Sequence, residues 1–164
     1  MAQVASIGTR KVIDILLGPA GLAPTVAGLA SELGWQPDAI PQASVTAQNV
    51  AAELLEKSAG AAYPAMQIYC ERVTNQLREK FRVFSGKARM AVEARVSQDR
   101  IEGLDWTLQI YVDGVTQVLD ANRGDWGQGM FYTGGYEVTY GAVRHGGRNF
   151  LQTAKIAFEI DISK

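Results

Sequence analysis

Histidine is the side chain that most readily changes charge near neutral pH, and His145 is the only histidine in this 164-residue chain. It lies in Arg144-His145-Gly146-Gly147, a sequence typical of a hairpin turn between two strands. No serine-containing elbow and no cysteine motif accompanies it along the sequence. We therefore expect a solvated turn residue. A small enzyme that uses His145 with Asp125 or another carboxylate is a distant alternative.

Cys70 is the only cysteine, so it cannot form an internal disulfide. One cysteine and one histidine also cannot hold a tetrahedral zinc ion unless carboxylates complete the site. Cys70 falls on the apolar face of a predicted strand, where a cysteine packs as a small hydrophobe. We expect it to belong to the core.

Two further patterns suggest chemistry and have simpler explanations. The run from Gly124 to Gly129 contains G-x-x-G-x-G, but it follows a predicted helix, whereas a phosphate loop follows a strand and opens a helix. We expect a helix stop and a tight turn that exposes Trp126. Acidic residues at Asp99, Glu102 and Asp105 suit the first turns of a helix, where they favour its dipole. The sequence predicts no catalytic, cofactor-binding or metal-binding residue and hence no enzyme.

The overall charge argues against a general attraction to nucleic acid or to an acidic membrane surface. There are 16 Lys and Arg against 17 Asp and Glu, which gives a net charge of −1. No apolar run approaches the roughly 20 residues of a membrane-spanning helix. The apolar run 12–17 is short and is interrupted by Asp14, so it does not have the pattern of a targeting segment. We expect synthesis in the cytoplasm and no membrane partner.

The chain divides into two segments by its periodicity. Residues 1–62 are rich in alanine and form, by prediction, an N-terminal helical segment that packs on the same core as the rest. Helices are predicted over 3–17, 25–33 and 47–57, with Thr25 and Thr46 as N-caps and Gly34 after a helix end.

Residues 63–164 form the second predicted segment, an α+β domain. Apolar residues recur at three- and four-residue spacing from Asp99, a predicted cap, to Ala121, with Gly124 as the stop. A mainly antiparallel sheet with this one long helix packed across it would bury all the apolar faces. Apolar and polar residues alternate in four predicted strands, Pro64–Val73, Lys87–Ser97, Gly135–Val143 and Phe150–Ile162.

A basic stretch interrupts the balanced charge. Residues 71–100 contain eight basic and four acidic residues, a local net charge of +4. The segment Arg78–Arg82 and the polar face of the strand Lys87–Ser97 are its main parts. Three explanations are open: a solvated strand face, charge pairing with an acidic surface on another subunit, or weak contact with a nucleic-acid backbone. The negative remainder of the chain favours self-association over binding of free DNA.

Aromatic residues lie on a glycine-rich connection at Trp126, Phe131 and Tyr132. They are either anchors of a protein interface or a local lid over the core. The candidate residues of an assembly interface are Arg78, Arg82, Arg89, Arg95, Trp126, Phe131, Tyr132 and Arg144.

A set of short motifs between about residues 60 and 163 resembles the tail terminator, or tail-completion, proteins of tailed bacteriophages. The motifs are Tyr63-Pro64-Ala65-Met66-Gln67-Ile68-Tyr69, Phe81-Arg82-Val83-Phe84-Ser85-Gly86, Val96-Ser97-Gln98-Asp99-Arg100, Asn122-Arg123-Gly124-Asp125-Trp126-Gly127, Gly134-Gly135-Tyr136-Glu137-Val138 and Gly146-Gly147-Arg148-Asn149-Phe150.

The resemblance implies a structural virion protein at the head-proximal end of a phage tail. Such proteins form a homo-oligomeric ring, a hexamer, that stops polymerisation of the tail tube and joins the tail to the head. The implied partners are other copies of the chain, the tail tube protein, a neck or head-connector protein, and DNA that passes through the lumen without sequence-specific binding. A head-side neck adaptor or head-closure protein is the nearest alternative, and a free nucleic-acid-binding module is a more distant one.

Overall fold

The computed structural model describes residues 3–57, 60–145 and 147–164. In chain order the helices are α1 (Val4–Leu17), α2 (Leu22–Glu32), α3 (Ala52–Glu56) and α4 (Leu104–Ala121). The strands are β1 (Val45–Thr46), β2 (Ala65–Asn75), β3 (Ser85–Gln98), β4 (Gly124–Gly127), β5 (Met130–Tyr132), β6 (Tyr136–Tyr140), β7 (Arg144–His145) and β8 (Phe150–Ser163). A 3-10 turn at Gln42–Ser44 precedes β1.

One mixed sheet organises the chain, and it is mainly antiparallel, as the sequence predicts. Its order is β1-β2-β3-β8, and β5, β6 and β7 all pair with the other edge of β8, with β4 outside β5. Only β1 and β2 run parallel among the described pairs. The longest pairing joins β3 to β8 without a register shift, from Ser85 opposite Ser163 to Gln98 opposite Phe150.

The inner face of the sheet carries the core. Helix α4 lies against β3 and β8, helix α1 lies against β2 and β3, and α2 packs on α4. The apolar residues of β3 that alternate in the sequence are buried here together with those of β8. Residues from α1, α2 and β1 belong to the same apolar cluster, so the first 57 residues share their core with the rest of the chain.

The helix boundaries differ from the predicted ones. Helix α2 begins at Leu22, and Thr25 lies inside its first turn, where its hydroxyl donates to the Gly21 carbonyl at 2.7 Å. Thr46 belongs to β1, and α3 is limited to five residues. Helix α1 has 14 residues against 18 in α4, so the expected contrast between one long helix and short N-terminal helices holds only in part.

The predicted start of α4 at Asp99 is wrong. Gly103 precedes the helix with φ of 75°, a left-handed conformation that no helix interior contains. The Gln98 side chain donates to the carbonyls of Arg100 and Glu102, both at 2.8 Å, and closes this segment as a turn. At the other end Gly124 begins β4 with φ of 111°, and Asn122 is the residue that caps the helix.

Among the described residues no single helix is long and apolar enough to cross a bilayer. Only α1 and α2 taken together, as a pair bent by 43° at the break between them, have the length and composition of a membrane span. Both helices bury their apolar faces in the core, through residues such as Val12 and Val26.

The crossing of α2 over α4 depends on one glycine. A Cβ atom placed at Gly114 would lie 2.6 Å from Cγ2 of Val26 and 3.1 Å from Cδ1 of Leu22. Valine in a helix has one strongly preferred rotamer, so it cannot easily move away. The close approach of the two helices therefore requires glycine at this position.

We predict that Gly114→Ala lowers the free energy of unfolding by about 1–3 kcal/mol, because the overpacking outweighs alanine's higher helix propensity. Gly28→Ala in α2 is the matched control, since Gly28 is exposed and a Cβ there meets no atom within 4 Å. It should raise that free energy by up to about 1 kcal/mol. Urea unfolding measures both, and an equal gain in the two variants would contradict the packing account.

Candidate assembly surface

The outer face of the sheet, which faces away from α1 and α4, carries a network of ion pairs. Glu71 accepts from Arg89 at 3.0 Å and from Lys155 at 2.8 Å, and Arg89 also reaches Glu137 at 3.2 Å. Further pairs join Glu159 to Lys87 at 3.0 Å and to Arg72 at 3.9 Å, and Lys87 to Asp161 at 3.9 Å.

Three of the eight cations of the predicted basic stretch belong to this network: Arg72, Lys87 and Arg89. Its acidic members are Glu71 from β2, Glu137 from β6, and Glu159 and Asp161 from β8. Three of these four lie outside residues 71–100, so a count along the sequence misses them. Four cations thus face four carboxylates, so the excess of positive charge counted along residues 71–100 does not appear on this face. Arg89 belongs to this balanced network.

The ion pairs stabilise the charged forms of their members. Lys155 is the main cause that lowers the pKa of Glu71, and Lys87 is the main cause that lowers the pKa of Glu159. The hydrogen bond to Glu159 raises the pKa of Lys87 in turn. All these groups remain partly exposed, so each pair contributes little by itself to the free energy of folding.

Arg95 is buried, with 2% of its side chain exposed, although the alternation places it on the polar strand face. Its Nε donates to Glu93 at 2.9 Å and its Nη2 donates to the Val50 carbonyl. Gln67, on the neighbouring strand, accepts from the Val50 amide at 3.1 Å. Two buried side chains thus hold both backbone groups of Val50 and fix the segment before α3 across the outer face.

Trp126 and Tyr132 are also buried, so the expectation that the turn exposes Trp126 is wrong. Their ring centroids lie 5.3 Å apart, and Tyr132 makes an edge contact with Phe158 at 5.4 Å. The Trp126 indole donates to the Asn122 carbonyl at 2.6 Å, and burial raises the pKa of Tyr132 to about 12. Trp126 and Tyr132 therefore match the alternative of a local lid over the core. Of the three aromatic residues on this connection, only Phe131 is exposed.

Three strongly exposed apolar side chains lie between β2 and β3, in residues 76–84, which we call the hairpin tip. Phe81 is fully exposed, and Val83 and Leu77 are 69% and 62% exposed. Arg78, Lys80 and Arg82 give the tip three cations against the single anion Glu79.

Sequence reasoning singled out the cations of the hairpin tip and missed its apolar residues. The sequence nevertheless contains a sign of this exposed apolar surface. Leu77, Phe81 and Val83 are large apolar residues in a connection whose pattern has neither the period of a strand nor that of a helix.

The hairpin tip is held in place by its own polar contacts. Asn75 accepts from the amides of Leu77 at 3.2 Å and Ser85 at 3.1 Å, and its side-chain nitrogen donates to Val83 at 3.2 Å. Glu79 accepts from the Ser163 hydroxyl at 2.7 Å at the end of β8. Leu77 and Phe81 adopt φ of 46° and 65°, which is unusual for bulky residues. The tip therefore presents its side chains in a defined arrangement.

Two of the predicted interface groups meet beside the hairpin tip. An open cavity of about 400 Å³ is lined by Arg78 and Glu79 from the tip and by Phe131 and Asp161 from the end of the sheet. Arg82 lies on the same tip and pairs with Glu79 at 3.4 Å. Arg78, Arg82 and Phe131 thus form one surface, while Arg95, Trp126 and Tyr132 lie in the interior.

Arg144 and His145 are exposed at the opposite end of β8. Arg144 pairs with Glu53 of α3 at 2.6 Å, and His145 accepts from the Gly147 amide at 3.3 Å. Asp125 lies opposite Phe131, which pairs with Asp161, whereas His145 pairs with Phe150. The two positions are separated by roughly 35 Å along β8, at about 3.3 Å per residue. The structure therefore does not support the pairing of His145 with Asp125.

Cys70 is partly buried against the core, and burial raises the pKa of its thiol. Among the described residues there is no group of three or more His, Cys, Asp or Glu side chains that could hold a metal ion. No protein-family model matches the sequence, and no curated protein matches it either.

We predict that Arg95→Ala lowers the free energy of unfolding by about 3 kcal/mol, because it leaves Glu93 and the Val50 carbonyl without their buried partner. Arg89→Ala removes an arginine from the neighbouring exposed network and should cost less than about 1 kcal/mol. Chemical denaturation compares the two variants. Equal losses would show that Arg95 is no more important than a surface cation.

The free energy of unfolding should also fall as the pH drops below about 4.3, the ordinary pKa of a glutamate. Glu71 and Glu159 have lowered pKa values in the folded chain, so below that pH the unfolded chain binds protons first. Their contribution is complete above the unfolded pKa and disappears as the pH falls through the folded one. Urea unfolding between about pH 7 and pH 3 should show a smaller decline for Glu71→Gln. Glu32→Gln, at an exposed position in α2, should leave the decline unchanged.

Proposed function

We propose that this protein is a structural subunit of a phage virion and not an enzyme, and that it forms a ring at the head-proximal end of the tail. In this role it stops polymerisation of the tail tube and offers its other face to the neck or head connector. The motif set that resembles tail terminator proteins supports the proposal, as does an α+β chain built on one curled, mainly antiparallel sheet.

The observation that carries the proposal is the hairpin tip. This loop is tied by the hydrogen bonds of Asn75 and presents Phe81, Val83 and Leu77 to water, and neighbouring exposed apolar side chains of this kind mark interaction sites. Exposed apolar residues next to arginines have the composition of interface anchors, since arginine and aromatic residues are enriched in such contacts. Their position beside Phe131 extends the same surface over the end of the sheet.

The charge balance of the outer face bears on the proposed passage of DNA. A ring that lets DNA slide through its lumen must not hold the phosphate backbone tightly, and each free cation would add a salt-dependent contact. On the outer face, Arg89 and Lys87 are already paired with carboxylates. We propose that DNA passes through without sequence-specific binding, and that the chain is assembled into the virion in the host cytoplasm.

The proposal predicts the phenotype of a phage that lacks this protein. Its tails should be overlong in electron micrographs, because nothing stops the growing tube, and they should not join to heads. The wild-type chain supplied in the same cells should restore tails of normal length. Normal tails beside heads that leak DNA would instead favour the head-side closure protein, and an unchanged virion would contradict both roles.

A further inference from the structure

A second candidate assembly surface, besides the hairpin tip, lies on α4. It contains three exposed carboxylates, Asp105, Asp113 and Asp120, which we call the acidic stripe. Tyr136 and Tyr140 of β6 flank it on the helix side of the sheet: the Tyr136 hydroxyl lies 3.5 Å from the Asp120 carboxylate. Both tyrosines are about 40% exposed, so the stripe combines negative charge with accessible aromatic rings.

Asp113 is the member of the stripe whose carboxylate has neither a hydrogen bond nor an ionic partner among the described residues. Asp120 pairs with Arg123 at 2.8 Å, and Asp105 accepts from Gln109 at 2.7 Å and Gln152 at 2.8 Å. No lysine or arginine of the described residues lies within ion-pair distance of Asp113. Partial burial of Asp113 raises its pKa, and a cation placed beside it would favour the charged form.

The hairpin tip has the complementary property. Among the described residues Arg78 and Lys80 form no ion pair, and they flank the apolar residues of the tip. The tip and the acidic stripe also face different directions. Arg78 lines its cavity with Phe131 and Asp161 of the outer face, whereas α4 covers the inner face. A single chain therefore carries two unlike surfaces of opposite charge that it does not bring together itself.

We propose that the hairpin tip of one copy docks against the acidic stripe of the next copy. Arg78 and Lys80 then face Asp113, and Phe81 lies against the tyrosine rings of β6. A contact between two unlike patches is heterologous, and repeated around an axis it closes into a ring or continues as a filament. This inference rests on the proposed function, because it names the contact that would build the proposed ring.

Charge reversal tests the contact in the full-length chain. Native mass spectrometry and negative-stain images should show rings for the wild type, alone or on tail tubes. R78E/K80E should weaken ring formation at least about tenfold, and Asp113→Lys should weaken it as well, because like charges then face each other. Combining the three substitutions should restore association to within about threefold of the wild type.

R100E/R148E is the matched control, since it makes the same change in net charge at two exposed arginines outside both surfaces. It should assemble like the wild type. Circular dichroism checks that every variant is folded. If a reversal variant does not fold, a cysteine pair at Phe81 and Tyr140 in a Cys70→Ala background replaces it, and it should form disulfides between copies but not within one.

The outcomes separate this contact from the proposed function. Normal rings from R78E/K80E would overturn the contact and leave the ring role standing. Normal rings that no longer cap tubes would assign the hairpin tip to the tail tube instead. A triple variant that assembles worse than either parent would also overturn the pairing. A wild-type chain that forms no ring in solution or on tubes would overturn both proposals.

Discussion

The fold depends on the unbroken pairing of β3 with β8. These two strands run antiparallel over 14 residue pairs, and the other strands attach to them directly or, for β1 and β4, through β2 and β5. One face of this strand pair packs against α1 and α4 in the core. The opposite face carries the ion pairs of Arg89 and Lys155 with Glu71. Because side chains alternate with a period of two, one register fixes both faces at once.

That register also explains which properties the sequence could predict. The alternation in β3 and β8 located both strands within about two residues, and their apolar faces were correctly assigned to the core. Periodicity could not show where α4 begins, because the pattern continues back through Ile101 while Gly103 takes a left-handed conformation. Nor could it show that Arg95 is covered, since the segment that contains Val50 crosses the strand from 45 residues away.

The candidate surface shows the same division. Arg78, Arg82 and Phe131 were found by residue type and remain exposed at one end of the sheet. Trp126 and Tyr132 were misassigned because a turn sequence rich in glycine says nothing about what packs beneath it. The basic stretch was overestimated because strands distant in sequence bring carboxylates beside it. Charge counted along a chain describes a surface only after the strand order is known.

The remaining unbalanced features are the apolar, basic hairpin tip and the acidic stripe on α4. The hairpin tip and the acidic stripe face different directions, so one copy cannot bring them together. Such an arrangement suits a subunit that binds further copies of itself through two unlike surfaces. A density map of the head–tail junction at side-chain resolution tests this account most directly. It should show a ring of this chain above the last tube ring, with residues 76–84 of each copy against α4 of its neighbour. A junction without this chain, or a ring in which the hairpin tip remains exposed to solvent, would contradict it.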